Sequence, residues 1–196
     1  MAEAGLDVQT TKDYRYSYEP AKLKLSNLES TAQAIRAKIA PFRFLLAARN
    51  ISRELKLEGK ERILEIGSGL GLLGKAIKKE VEGEVEYYGL ELAYNPAARS
   101  KENAIEPVQA NAVTLPFSRD SFDVVISTDV LEHISDEREA IREIYRVLKP
   151  GGKAFLVIAD PSEGRFSKVS GHIDRTKSDS DVSYWEEIFE KAGFEV

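Results

Sequence analysis

At 196 residues and 21.9 kDa, with 42% hydrophobic and 31% charged residues, the chain has an ordinary globular composition and the length for one domain with a sizeable core. It has no cysteine, which excludes disulfides, thiolate metal sites and a cysteine nucleophile. The formal net charge of -5 argues against a non-specific nucleic-acid binder; with no apolar leader at Met1–Gln9 and no run of about eighteen apolar residues, a cytoplasmic enzyme or binding protein is expected.

Residues 1–20 are polar, but Tyr14, Tyr16 and Tyr18 alternate with Arg15 and Ser17. That pattern suits a short strand, an arm across a pocket or a loosely packed tail. Leu28, Ala32, Ile35 and Ile39 then recur at helical spacing, and beyond Pro41 a second helix carries Phe42, Leu45, Leu46, Ile51 and Leu55 and is expected to end at Gly59. From there strand and helix signals alternate. Strands are predicted at 62–66, 84–90, 106–109, 122–127 and 153–159, with helices at 71–80, about 95–103 and 136–148. In the last of these helices Ala140, Ile141, Ile144, Tyr145, Val147 and Leu148 form one apolar stripe, which Lys149-Pro150-Gly151-Gly152 stops.

Such alternation predicts an α/β fold, a doubly wound and mostly parallel Rossmann-like sheet with helices on both faces. Residues 160–182 are polar and without periodicity, the signature of a functional loop or a disordered one. A final helix, Val182 to Ala192, leads to Gly193-Phe194-Glu195-Val196, where another strand is expected to begin. The predicted organisation is an N-terminal arm and helical lid over 1–58 and a ligand-binding domain over 59–196, in one globular unit.

In a doubly wound sheet, ligands bind outside the carboxyl ends of the strands. After the first strand come Gly67, Gly69 and Gly71, which remove every Cβ where a turn must tighten and a ligand approach the backbone. A helix starting near Leu70 would aim unpaired N–H groups and its positive end at that ligand. Glu91 closes the second strand and can accept two hydrogen bonds from a ribose diol, although a solvated strand end is the alternative. Asn111, after the third strand, offers a donor and an acceptor to an adenine edge, or simply makes a turn. Thr128, Asp129, Glu132 and His133 follow the fourth strand, and Asp160 the fifth. Glu65 stands inside an apolar strand, where a carboxyl group needs partners; orienting the glycine turn or reaching the ligand would supply them. Spacing leaves the cofactor open. Gly69, Gly71 and Gly74 satisfy the dinucleotide fingerprint G-x-G-x-x-G, while Gly67, Gly69 and Gly71 satisfy G-x-G-x-G.

Taken in order, the motifs resemble those of the class I S-adenosylmethionine-dependent methyltransferases, type 11 group. Leu64-Glu65-Ile66-Gly67-Ser68-Gly69-Leu70-Gly71 is similar to the family's first motif, Gly89-Leu90-Glu91 to its ribose-binding strand end, and Asn111-Ala112-Val113-Thr114-Leu115-Pro116-Phe117 to its adenine-side segment. Ser121-Phe122-Asp123-Val124-Val125, Asp129-Val130-Leu131-Glu132-His133-Ile134 and Arg142 through Gly152 continue the series. The resemblance covers about residues 60 to 196. It implies S-adenosyl-L-methionine as cofactor, held by Glu65, Gly67, Ser68, Gly69, Gly71, Glu91, Leu92, Asn111, Ala112 and Asp129. It also implies a small-molecule methyl acceptor, beneath a lid running from Tyr14 to about Leu46 and the 160–182 loop. Two departures stand out: Asn111 replaces the family's usual Asp, and the chain ends at the sixth of seven expected strands. An uncovered sheet edge would call for a loop or a partner, a second copy forming a homodimer among them.

Transfer from a sulfonium needs chiefly a nucleophile held in line, and an oxygen or nitrogen acceptor also needs a base. His133, Asp129 and His172 are the catalytic candidates, against structural roles for both histidines. Asp129, Glu132 and His133, at i, i+3 and i+4, could share one face of a helical turn and with His172 suit a divalent metal. Some relatives that methylate the hydroxyls of quinone precursors or RNA ends resemble this pattern and use a metal. Most type 11 members carry a similar Glu-His pair without one, so no metal is expected.

Overall fold

The computed structural model describes residues 43–92, 105–158 and 182–196. The tyrosine arm, the first predicted helix, nearly all of the lid, the helix at about 95–103, Asp160 and His172 lie outside the described residues.

Helix α1 spans 43–55 and buries Ala48, Ile51 and Leu55, with Phe44 packed beside them. The positions 44, 48, 51 and 55 advance by alternating steps of about four and three, so they form one seam along a 3.6-residue helix. Leu45 and Leu46 fall off that seam and stay 45% and 37% exposed, which corrects the predicted face. The helix ends earlier than Gly59. Lys56 adopts φ 54°, its N–H donates to the Arg53 carbonyl at 3.2 Å, and the Leu57 N–H reaches the Ser52 carbonyl at 3.0 Å, a Schellman closure that satisfies carbonyls at the helix end. Gly59 instead serves a close approach, since a Cβ there would lie 1.9 Å from the Glu82 carbonyl oxygen.

Five strands follow: β1 (Arg62–Ile66), β2 (Glu86–Glu91), β3 (Glu106–Gln109), β4 (Phe122–Thr128) and β5 (Leu148–Val157). All pairings are parallel, in the order β3-β2-β1-β4-β5. Helix α2 (Leu72–Glu80) connects β1 to β2, and α3 (Glu137–Val147) connects β4 to β5. Helix α4 (Val182–Ala192) packs on α3 through Trp185, Ile188 and Phe189. Strand β5 starts five residues before the predicted Lys153, because Leu148 already pairs with Phe122 while Lys153 pairs with Val124. A bulge takes up the four residues between, with Gly151 at φ 77°. At the end of the described chain Glu195 forms an isolated bridge and not a strand.

The sheet separates two apolar layers, as its alternation requires. Ile63, Tyr87, Val124 and Ile126 face α1 and α2, while Leu64, Ile66, Leu90 and Val125 face α3 and α4. Sheet order reverses between β1 and β4, and that reversal places a crevice at their carboxyl ends.

Candidate functional site

The registers align the strand ends along one edge: Ile66 beside Leu90 and Ser127, Glu91 beside Gln109, Thr128 beside Val157. At the switch point the chain leaves β1 through Gly67, Gly69 and Gly71, with φ of 73°, 53° and 73°. L-residues with a Cβ rarely adopt these angles. The Gly67 and Ser68 N–H groups both donate to the Leu90 carbonyl, at 2.8 and 3.0 Å, so the turn stays pinned to β2. A Cβ on Gly67 would stand 2.3 Å from a methyl of Val130, whereas nothing lies within 4 Å of where one on Gly69 would stand. Gly67 is therefore required by packing across the switch point, and Gly69 leaves open space above the turn.

Glu91 joins this turn directly. The Gly69 N–H donates to its Oε2 at 3.0 Å, so the carboxylate stands beside the turn, and a carboxylate accepts from more than one donor. Leu92, next in the chain, is 67% exposed. Ser68 is 7% exposed and its buried Oγ has no hydrogen-bond partner among the described residues. That hydroxyl sits over Gly89 of β2, where an added Cβ would stand 2.7 Å from it, so the open space above the turn is at Gly69.

Glu65 points into the layer beneath α2. It is 3% exposed, accepts from the Tyr87 hydroxyl at 3.0 Å and also accepts from the Gly74 N–H. Gly74 is the third residue of α2, whose N-cap Gly71 supplies no side-chain cap, so Glu65 satisfies one of the helix's orphan donors. Burial pushes its carboxyl up to about 8; the Tyr87 and Gly74 bonds oppose the rise and the nearby Glu91 charge adds to it. Glu65 is thus neutral near pH 7 and supports the turn from below.

This arrangement explains Gly74 without a dinucleotide. A Cβ there would lie 2.5 Å from the Tyr87 ring, so the glycine lets the ring pass under the helix to Glu65. Gly74→Ala is expected to destabilise the chain by about 1–3 kcal/mol through overpacking, despite the helix propensity of alanine. Urea unfolding checks this; a stability at or above the parent's would show that the ring has room to move.

At the end of β4, Asp129 has φ 56° and its N–H donates to the Val157 carbonyl at 2.9 Å. The one-turn 3-10 helix is confined to Leu131–His133. Asp129 therefore precedes that helix in a left-handed conformation, and Asp129, Glu132 and His133 do not share a helical face as their spacing predicted. Glu132 is 3% exposed, Asp129 is exposed and His133 half-buried. Among the described residues no group of three His, Asp or Glu side chains converges on a metal position.

Asn111 makes a turn: its Oδ1 accepts from the Val113 N–H at 3.1 Å, and its carbonyl accepts from the Thr114 N–H at 3.0 Å. The donor half of the amide is what it can offer a ligand. Ala112 is buried in the layer facing α3. Sequence reasoning overlooked Tyr87, Val130 and the pair Glu143 and Arg146, treated below; only the i, i+3 spacing of that pair on an amphipathic helix signalled it.

Residues 64–156 match the family described as a methyltransferase domain. The methyltransferase YcgJ of Bacillus subtilis, named as uncharacterized, is 31% identical over 66% of this chain and 55% of its own length. A ubiquinone/menaquinone biosynthesis C-methyltransferase, UbiE of Vibrio campbellii, is 32% identical over 58% of this chain and 49% of its own. The chain thus spans about half the length of these curated relatives. The solved YcgJ structure superposes with a TM-score of 0.60 at 25% identity, covering 74% of this chain and 67% of that one.

Proposed function

Because the chain belongs to the class I S-adenosylmethionine-dependent methyltransferases, we propose that it transfers a methyl group to an oxygen, nitrogen or carbon nucleophile of a small molecule. The observation that carries this reading is the open Gly67–Gly71 turn bonded to Glu91 at the switch point. The family's cofactor is S-adenosyl-L-methionine, and the residues present fit it: a carboxylate for a ribose diol, bonded to a turn that is open at Gly69.

In this proposal Gly67, Ser68, Gly69 and Gly71 admit the amino-acid arm, with Asp129 at its rim. Glu91 accepts from the ribose, Leu92, Asn111 and Ala112 flank the adenine, and Glu65 holds the turn. When bound, the sulfonium supplies a methyl group already activated for attack. The chain's own task is to orient the acceptor and exclude water, and orientation alone is worth up to about 7–11 kcal/mol. Asp129 and His133 stand at the mouth as candidates to take an acceptor's proton; His172, outside the described residues, is proposed for the same role. The arm and lid of 1–58 and the 160–182 loop are proposed to shape the acceptor pocket.

The relative named for quinone biosynthesis supports a small acceptor, and the net charge of -5 favours it over RNA. Among the described residues no helix is long and apolar enough to cross a membrane, in keeping with the proposed cytoplasmic setting. β5 pairs only with β4 among them, in keeping with an edge for a second copy.

Calorimetry with S-adenosylhomocysteine against NAD tests the cofactor site, and the expected result is binding of the former alone. Absence of that binding would overturn the proposal. A radiolabelled methyl-transfer screen over phenols, amines and carboxylates tests the acceptor class. Transfer to protein or RNA alone would replace the small-molecule reading, and binding without any transfer would mark a non-catalytic module.

A further inference from the structure

The connection from β3 to β4, residues 110–121, crosses the sheet without a helix. A parallel crossover normally carries one, whose internal bonds satisfy its backbone. Here the backbone groups must find partners elsewhere. Two side chains of α3 supply several. The Leu115 N–H donates to Glu143 Oε2 at 2.7 Å, and Arg146 donates to the Phe117 carbonyl at 2.8 Å and the Leu115 carbonyl at 3.1 Å. The two are locked together, Arg146 Nε to Glu143 Oε1 at 2.5 Å and Nη2 to Oε2 at 2.8 Å. Their side chains are only 14% and 28% exposed. Further along, the Asp120 and Ser121 N–H groups take the carbonyls of Arg146 and Val147, at 3.1 and 2.8 Å.

The other end of the same segment reaches the ligand edge. The Ala110 N–H donates to the Glu91 carbonyl at 3.2 Å, and Gln109 lies beside Glu91 in the sheet. If Glu91 holds a ribose and the glycine turn of β1 receives the amino-acid arm, the base must extend the opposite way, toward β3 and residues 110–113. We propose that Glu143 and Arg146 are positioning residues for the cofactor's purine: by clamping Leu115 and Phe117 they set where Asn111, Ala112 and Val113 stand, and so set base discrimination without touching the ligand. This rests on the proposed cofactor site.

The geometry explains why two residues of a helix with no place at the crevice are tied to main-chain atoms of a segment that has one. Arginine suits the task because its planar fork holds a carboxylate and two carbonyls at once. Lysine keeps the charge and loses the fork.

The test compares S-adenosylhomocysteine with S-inosylhomocysteine, whose base has a 6-oxo group and an N1–H where adenine has a 6-amino group and a bare N1, by calorimetry on the parent chain, Arg146→Lys and Glu143→Gln. The parent is expected to prefer the adenine form, and both variants to lose about tenfold of that preference, the worth of one misplaced hydrogen bond. Variants that weaken both ligands equally, with the ratio kept, would reduce the pair to general support and overturn the proposal, as would unchanged binding or a parent that binds both forms alike. Should Arg146→Lys fail to fold, Glu143→Gln keeps the shape and one acceptor oxygen and carries the test. A parent that binds neither ligand would overturn the cofactor site itself, a distinct result.

Discussion

Between about pH 5 and about pH 9 the folded chain is expected to lose several kcal/mol of stability through Glu65 alone. The carboxyl titrates at about 8 in the fold against an ordinary 4.5. The fold therefore favours the protonated form, and the stabilisation is fully present below pH 4.5 and fades as pH rises through 8. A displacement of that size is worth about 5 kcal/mol when complete. Four other perturbed carboxyls act elsewhere on the scale, the exposed Glu58 and Glu187, held low by Lys60 and Lys191, among them. At Asp123 burial is outweighed by the Lys149 ammonium and the Arg62 N–H, and Arg146 holds Glu143 low; both contributions persist above their ordinary range and are lost only toward acid. The neutral-to-alkaline window thus isolates Glu65. Glu65→Gln keeps an acceptor for the Tyr87 hydroxyl and removes the titration. It should match the parent near pH 5, exceed it by a few kcal/mol near pH 9, and flatten the curve between. Urea unfolding at stepped pH reads this directly, and parallel parent and variant curves would show that Glu65 stays charged.

How much of this was legible beforehand follows from the range of each interaction. The glycine turn could be read because its requirement is local: three backbone positions at positive φ leave glycine as the natural residue. Glu91 could be read from strand length, since the end of β2 must lie beside the end of β1. Helix α3 announced itself through period and stop signal, and was observed within a residue of prediction.

What escaped depended on partners distant in sequence. Tyr87 is one of two adjacent tyrosines, and only the register of β2 against β1 decides which enters the layer with Glu65. Asp129 and Glu132 were separated from a common face by one left-handed residue, which spacing does not reveal. The seam of α1 was misplaced because leucine content outweighed the steps between Phe44, Ala48, Ile51 and Leu55. The start of β5 was hidden by a bulge that extended pairing through a Pro-Gly-Gly stretch resembling a turn. Glu143 and Arg146 stand one turn apart on α3, yet the Leu115 N–H that Glu143 accepts from lies 28 residues away and the carbonyls that Arg146 serves lie 29 and 31 away.

Replacing Glu91 by Ala should weaken S-adenosylhomocysteine binding by about a hundredfold or more. A carboxylate accepting from both hydroxyls of a ribose makes two charge-assisted hydrogen bonds, each worth about 1.5–3 kcal/mol, and even the lower figure taken twice exceeds two decades in affinity. A second effect acts in the same direction, since Ala also removes the acceptor of the Gly69 N–H and loosens the turn that must meet the ligand. Glu91→Gln separates the two. Its amide oxygen can still accept from Gly69 while its nitrogen meets the diol as a donor, so a large loss in both variants assigns Glu91 to the ribose. A large loss in Ala with near-parent binding in Gln would make Glu91 a support for the turn. Parent-like binding in both would put the ribose elsewhere along the strand ends, and with it the direction in which the purine extends.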